Sequence, residues 1–138
     1  IATEVFLPHR RKSDVEEPEF DGERVHLIPE SKAAFDAFAA AGLLAAAQDY
    51  EYGGMQLPTA VDKAGFAYVL AANVGSAGYP LLTTANANLL LAHGSPAQVD
   101  AFVRPMLAGR FAGTMCLSEP QAGSSLTDIT TRAEPDGD

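Results

Sequence analysis

The sequence predicts a mainly α-helical fold that gives way to a β unit over residues 111–138. Three features carry that prediction. Helix start and stop signals recur four times between Ser31 and Gly109. Thirty-six consecutive residues, Ala64 to Val99, contain no Asp, Glu, Lys or Arg, which suits buried helices of a larger soluble assembly. After Arg110 the helix caps stop, and short runs rich in apolar, Thr and Ile residues replace them.

The elements follow in order. Residues 1–30 hold eight of the eighteen acidic residues together with Pro8, Pro18 and Pro29, so this arm is expected to be irregular and solvated, or draped over a partner surface. A helical unit is expected over 31–110. In it, Ser31 caps a helix running to about Ala41, with Ala34, Phe35 and Phe38 on one face and Gly42 at the stop. Thr59, three residues before Asp62, gives a capping-box-like start to a helix through Val61, Gly65, Tyr68, Val69 and Ala72. Thr83 or Thr84 opens a third helix, Ala85 to Ala92, which Gly94 ends. Ser95-Pro96-Ala97-Gln98 is the clearest start in the chain, with Ser at the cap, Pro at the first helical position and Gln at the third. Pro105 limits that fourth helix, and a turn follows at Ala108-Gly109-Arg110. Phe111 to Leu117 then reads as a buried strand and Leu126 to Arg132 as a second.

Composition bounds the function. A chain of 138 residues with 47% hydrophobic content is long and apolar enough to bury a core. Its net charge of −9 argues against a nucleic-acid partner, whose phosphates need a basic patch. Gly75, Gly78, Pro80, Asn86, Asn88 and Gly94 interrupt the charge-free stretch, so it holds no membrane span. The single cysteine, Cys116, excludes an internal disulfide framework and fits a reducing compartment. No spacing of His, Cys and Asp suggests a metal site, and His93 beside Gly94 reads as a helix-terminal histidine. The N-terminus reads as a segment whose true start is missing, and Asp136-Gly137-Asp138 as a hairpin turn without its second strand, so the chain is expected to be a piece of something longer.

The chemistry concentrates in Met115-Cys116-Leu117-Ser118-Glu119-Pro120-Gln121-Ala122-Gly123-Ser124-Ser125. An apolar run ending in a hydroxyl, then a Glu-Pro turn and a Gly-Ser step, lets a backbone approach a flat, polar-edged cofactor closely. This stretch resembles the flavin-binding signature of the acyl-CoA dehydrogenases, with Ser118 in place of the usual Thr and Ser125 in place of the usual Asp. Two upstream blocks strengthen the resemblance: Ala41 to Leu44 with Tyr50 to Met55, where Gln48-Asp49 replaces a customary proline, and His93 to Gln98 with Leu107 to Arg110. The arm and the wording Tyr79-Pro80-Leu81-Leu82-Thr83-Thr84 are most similar to the branch related to 3-methylmercaptopropionyl-CoA dehydrogenases.

The resemblance implies a helical N-terminal domain followed by the first strands of a middle β domain. It implies FAD as cofactor, an acyl-CoA thioester as substrate and electron-transfer flavoprotein as acceptor, in a homo-oligomer of the cytoplasm or, in a eukaryote, the mitochondrial matrix. The reaction implied is α,β-dehydrogenation, a carboxylate taking the pro-R α-proton while hydride leaves the β-carbon. That carboxylate lies beyond residue 138 in the family, so no catalytic residue is assigned here. Met115, Leu117 and Ser118 are the implied flavin contacts. Gly123 and Ser124 are implied for a pyrophosphate oxygen or, in the case of Ser124, the CoA end of the substrate. Pro80 and Thr84, with Ser76 and Thr83, are implied for the acyl cavity, plain helix packing being the alternative for each. Glu119 reads as a structural carboxylate accepting turn N–H groups rather than a catalytic one. An oxidase or monooxygenase on the same scaffold, or a helical interaction module without catalysis, stays open at this stage.

Overall fold

The computed structural model describes residues 1–137, so the last residue of the C-terminal turn signal lies outside the described residues. Helices dominate: α1 (Arg10–Val15), α2 (Pro29–Ala40), α3 (Thr59–Ala72), α4 (Val74–His93), α5 (Pro96–Gln98) and α6 (Arg104–Leu107). Two wide helical turns, Ala2–Phe6 and Val99–Val103, precede a 3₁₀ turn at Leu7–His9 and the short α6 respectively. No helix is long and apolar enough among the described residues to cross a membrane.

The arm is folded onto the helices rather than solvated. Phe6 is fully buried and packs edge-on against Phe38, with ring centres 6.3 Å apart, in a core of Ala34, Phe35, Leu44, Val69, Ala72 and Ala77. Ala2, Val5 and Phe6 had more to gain from burial than the following acids had to lose by staying at the surface. The acidic part of the arm does remain exposed, as an antiparallel pair of two-residue strands, β1 (Glu19–Phe20) and β2 (Val25–His26), joined through Asp21. Asp21 accepts the Glu23 and Arg24 N–H groups and pairs with His26, which holds its carboxyl down to about 2.

α2 starts two residues before the expected cap. Pro29 occupies its first turn, where a missing N–H costs nothing, and Ser31 is drawn inside and buried. Its end follows the expectation: Gly42, at φ +73°, lets Leu43 N–H reach the Phe38 carbonyl, the Schellman pattern. α3 begins at Thr59 with no side-chain cap, because the Pro58 carbonyl already accepts from Val61 and Asp62. Its buried face is rotated from the expected one. Phe66, Val69, Leu70 and Ala72 pack, while Val61, Gly65 and Tyr68 stay exposed.

The third and longest helix also differs from expectation. α4 runs unbroken for 20 residues through Pro80, with Thr83 and Thr84 in its middle. Its true cap is Asn73, whose Oδ1 accepts from Ser76 N–H at 3.1 Å. Pro80 is fully buried inside the helix, where it leaves the Ser76 carbonyl without its usual N–H, and the Thr83 and Thr84 hydroxyls bond the Tyr79 and Pro80 carbonyls beside it. Ala77 of α4 lies in the first core and Ala87 in a second, with Ala45, Val103, Met106 and Leu107. One helix therefore spans both cores.

The Ser95 box forms as expected, Ser95 Oγ accepting from Gln98 N–H and Gln98 Oε1 from Ser95 N–H. Pro105 does not end the helical run; the wide Val99–Val103 turn precedes it, and it sits at the second position of α6, buried. The run ends at Gly109, φ +72°, whose N–H bonds Met106 while Arg110 N–H bonds Pro105. A Cβ at 109 would stand 2.4 Å from the Ala39 Cβ, so α6 is closed directly against α2.

The strands expected after Arg110 are not formed. Phe111 to Leu117 is irregular and largely exposed, and Leu126–Asp128 is a 3₁₀ turn. A strand is completed by partners in hydrogen bonding, and none is present among the described residues.

The two caps differ in setting and so in expected worth. Asn73 is buried and also donates from Nδ2 to the Phe6 carbonyl, so Asn73→Ala is expected to cost about 1–3 kcal/mol, against about 0.5–1 kcal/mol for Ser95→Ala, whose box faces water. Urea midpoints at unchanged m-value measure both, and equal losses would refute the greater role given to the buried cap.

Candidate functional site

α4 positions the start of the site. Thr83, fully buried, donates to the Tyr79 carbonyl and accepts the Gly113 N–H at 3.0 Å. One turn on, Asn86 Nδ2 bonds both the Leu82 carbonyl and the Thr114 carbonyl. The chain beyond leaves the helix. Met115 is 50% exposed and Leu117 42%, and no backbone N–H from Met115 to Ser118 has an acceptor among the described residues. Ser118 and the free thiol of Cys116 are exposed too. A run of free donors beside half-exposed apolar side chains can present both polar and apolar contacts to a flat ligand.

The Glu-Pro turn that follows is closed at both ends. Glu119 N–H bonds the Ala122 carbonyl and Ala122 N–H the Glu119 carbonyl, with Ala122 buried beneath. The Glu119 carboxylate takes the Thr131 hydroxyl and N–H and the Thr130 N–H and hydroxyl, so it ties the turn to the chain eleven and twelve residues on. These donors, the Thr131 hydroxyl foremost, hold it down to about 2 from an ordinary 4.5. Gly123 is not in the left-handed region and has open space where a Cβ would stand, so nothing in the chain itself requires glycine there. Ser124 is exposed, and its carbonyl accepts the Leu126 N–H.

Pro80 and Thr84 come together elsewhere. They line a cleft of about 100 Å³ with Phe38, Leu43 and Phe66, which includes no residue of 115–124. Thr84 Oγ1 is turned to the Pro80 carbonyl. Ser76 belongs to neither site: its hydroxyl meets His9 Nε2 at 2.8 Å and Ser31 Oγ at 3.3 Å, in a buried knot joining the arm, α2 and α4. Sequence reasoning missed the support that Asn86 and Gly113 give to the segment. The signal was present as two polar residues, Thr83 and Asn86, three apart on a helix with no charged residue to account for them.

The depressed Glu119 predicts a pH window with a definite sign. A carboxylate whose folded value lies below its unfolded one contributes stability above about 4.5 and loses it as pH falls toward about 2. The Thr130 and Thr131 amide signals are expected to hold position from neutral pH to about 5 and to move toward exposed values between 4.5 and 2, by NMR titration. Glu119→Gln is expected to show the low-pH spectrum at neutral pH, and signals that ignore both pH and the substitution would refute the tether.

Comparison with known proteins gives the scaffold its relatives. Residues 1–110 match the family model described as acyl-CoA dehydrogenase, N-terminal domain. Over 135 residues, 98% of the chain, the sequence is 35% identical to the 3-methylmercaptopropionyl-CoA dehydrogenase of Ruegeria pomeroyi, of which it covers 23%. Shorter stretches are similar to the 3-sulfinopropanoyl-CoA desulfinase of Paraburkholderia xenovorans, 45% over 49 residues, and to the mitochondrial isovaleryl-CoA dehydrogenase of Oryza sativa subsp. japonica, 36% over 47. These cover 36% and 34% of this chain and 12% of each relative, so the chain spans under a quarter of the curated relatives it matches. With the family model matched along the whole helical unit, the chain belongs to the acyl-CoA dehydrogenase family.

Proposed function

We propose that this chain is the helical domain and the opening of the middle β domain of an FAD-dependent acyl-CoA dehydrogenase, which introduces an α,β double bond into an acyl-CoA thioester. The observation that carries the reading is the segment Met115 to Ser118, which offers unanswered N–H donors, a hydroxyl and two half-exposed apolar side chains within a family chain. Those groups fit a flavin, whose ring has a polar edge and apolar faces.

Met115, Leu117 and Ser118 hold the ring, the apolar pair by contact and Ser118 by donating from its hydroxyl. Gly123 and Ser124 leave room and donors for a pyrophosphate oxygen or the CoA end. Pro80 and Thr84 are proposed for an acyl group, their cleft having Phe38, Leu43 and Phe66 on its wall beside the Asp62–Lys63 pair. FAD, when bound, supplies the acceptor for the hydride. Glu119 is a poor proton acceptor at neutral pH, its carboxylate being held low by the threonine donors, and so does not fit the base that takes the α-proton. On the family resemblance, the base proposed is a carboxylate beyond residue 138. Electrons pass on to electron-transfer flavoprotein from a homo-oligomer in the cytoplasm or mitochondrial matrix. Similarity to a protein named as a desulfinase favours a second reading, another reaction on an acyl-CoA thioester with the same binding surfaces.

In the full-length protein, Ser118→Ala is expected to weaken FAD about three- to tenfold, the loss of one neutral hydrogen bond, without unfolding. Unchanged affinity and unchanged flavin reduction would remove Ser118 from the site. Gly123→Val is expected to lose more FAD than Ser125→Ala, since a branched side chain fills the open approach. Equal occupancy would make Gly123 an ordinary turn residue. Acyl-CoA turnover with an artificial electron acceptor separates the two readings, since only the dehydrogenase reduces it. Residues 1–138 alone, with FAD added, are expected to give no turnover, and clear turnover would place the base inside this chain.

A further inference from the structure

We propose that Thr83 and Asn86 are positioning residues that clamp the backbone of Gly113 and Thr114 to α4 and so set the direction in which Met115 to Ser118 leave the helical domain. The inference rests on the cofactor reading above and adds to it the part that aims the segment. Segment residues 115–118 make no backbone bonds of their own, so the last fixed points before them decide where their donors face. Those points are two consecutive peptide groups, held through opposite chemistry. The Gly113 N–H gives to the Thr83 hydroxyl, and the Thr114 carbonyl takes from the Asn86 amide. Bonds at one donor and one acceptor on adjacent residues fix both the position and the rotation of the segment, which neither bond does alone.

Glycine at 113 is part of the device. A Cβ there would lie 2.9 Å from Asn86 Cβ and 3.1 Å from its amide nitrogen, so only a residue without a side chain lets the backbone come this close to the helix. The helix that bears the clamp is itself well held. α4 has Ala77 in one core and Ala87 in the other, on either side of Thr83 and Asn86, and Asn73 and Ser76 tie its first turn to the arm. Thr83 is the stronger of the two parts, since its hydroxyl both donates to Tyr79 and accepts from Gly113 in a buried place. A binding segment carried on a rigid element is the arrangement that precise cofactor contacts require.

The test compares Thr83→Val, Thr83→Ser and Gly113→Ala in the full-length protein. Hydrogen exchange of the Gly113 amide without FAD reports the clamp, and FAD titration with the visible band of the bound flavin reports its consequence. Thr83→Val is expected to speed exchange at residue 113 about tenfold or more, to weaken FAD about three- to tenfold and to shift the flavin band, with Thr83→Ser restoring all three. Gly113→Ala, which leaves α4 intact, is expected to reproduce the Thr83→Val result, so a folding defect in one variant leaves the other to decide. Unchanged exchange in both Thr83→Val and Gly113→Ala would overturn the clamp. Faster exchange with unchanged FAD affinity and band would overturn its positioning role. A wild-type protein that binds no FAD overturns the cofactor reading alone, and the exchange rates then decide the clamp by themselves.

Discussion

Asn73 holds the junction on which this fold depends. A side chain that must be fully bonded to be buried is here bonded on both sides: its oxygen takes the first turn of α4, and its nitrogen gives to the Phe6 carbonyl and to Ser13. α3 ends and α4 begins at this one residue, so the angle between the two longest helices and the seat of the N-terminal arm share a single anchor. Beside it, His9 donates from Nδ1 to the Val5 carbonyl and meets Ser76 with Nε2. Polar groups at such depth favour one arrangement over its near neighbours, because a shifted helix would strand several of them at once. The apolar core supplies most of the stabilisation, and these bonds select which packing of it is used.

From that anchor α4 carries order toward the site. Its first half serves the core of Phe6 and Phe38, its second half the core of Val103 and Leu107. Between the two lie Pro80 and the two threonines, whose hydroxyls bond carbonyls around the proline. Thr83 thus has two duties, one inside its own helix and one toward the segment that follows Arg110. The Glu119 carboxylate then gathers the next turn and residues 130 and 131, adding side-chain ties to the few backbone bonds that shape the structure after 110.

How much of this was legible in the sequence depended on whether the deciding partner was near in the chain. The Ser95 box, the Gly42 and Gly109 stops and the buried set Ala34, Phe35 and Phe38 are local patterns, and they were read as they stand. Asn73 was not: its cap bond to Ser76 is local and was passed over, while its donation to a carbonyl 67 residues away is visible only in the packing. Pro80 and Pro105 were read as breaks, since burial of one and the widened turn before the other are tertiary facts. The start of the arm was misread for the same reason, its acidic stretch being exposed as expected: charge is visible locally, whereas the pocket that takes Phe6 is assembled from α2, α3 and α4. Of the candidate site, the residues 115–124 could be named from their order, but the separation of Pro80 and Thr84 from them, and the support from Asn86, emerge only from the packing.

The contact between Gly109 and Ala39 carries a consequence for how this family member can vary. With room for no Cβ at 109 and only a methyl at 39, the two positions behave as a single volume shared between α2 and the end of α6. Enlarging either one leaves no slack to absorb it, and trimming Ala39 to glycine does not license a side chain at 109, where the left-handed backbone persists. The spacing of these helices is therefore written in two of the smallest residues of the chain.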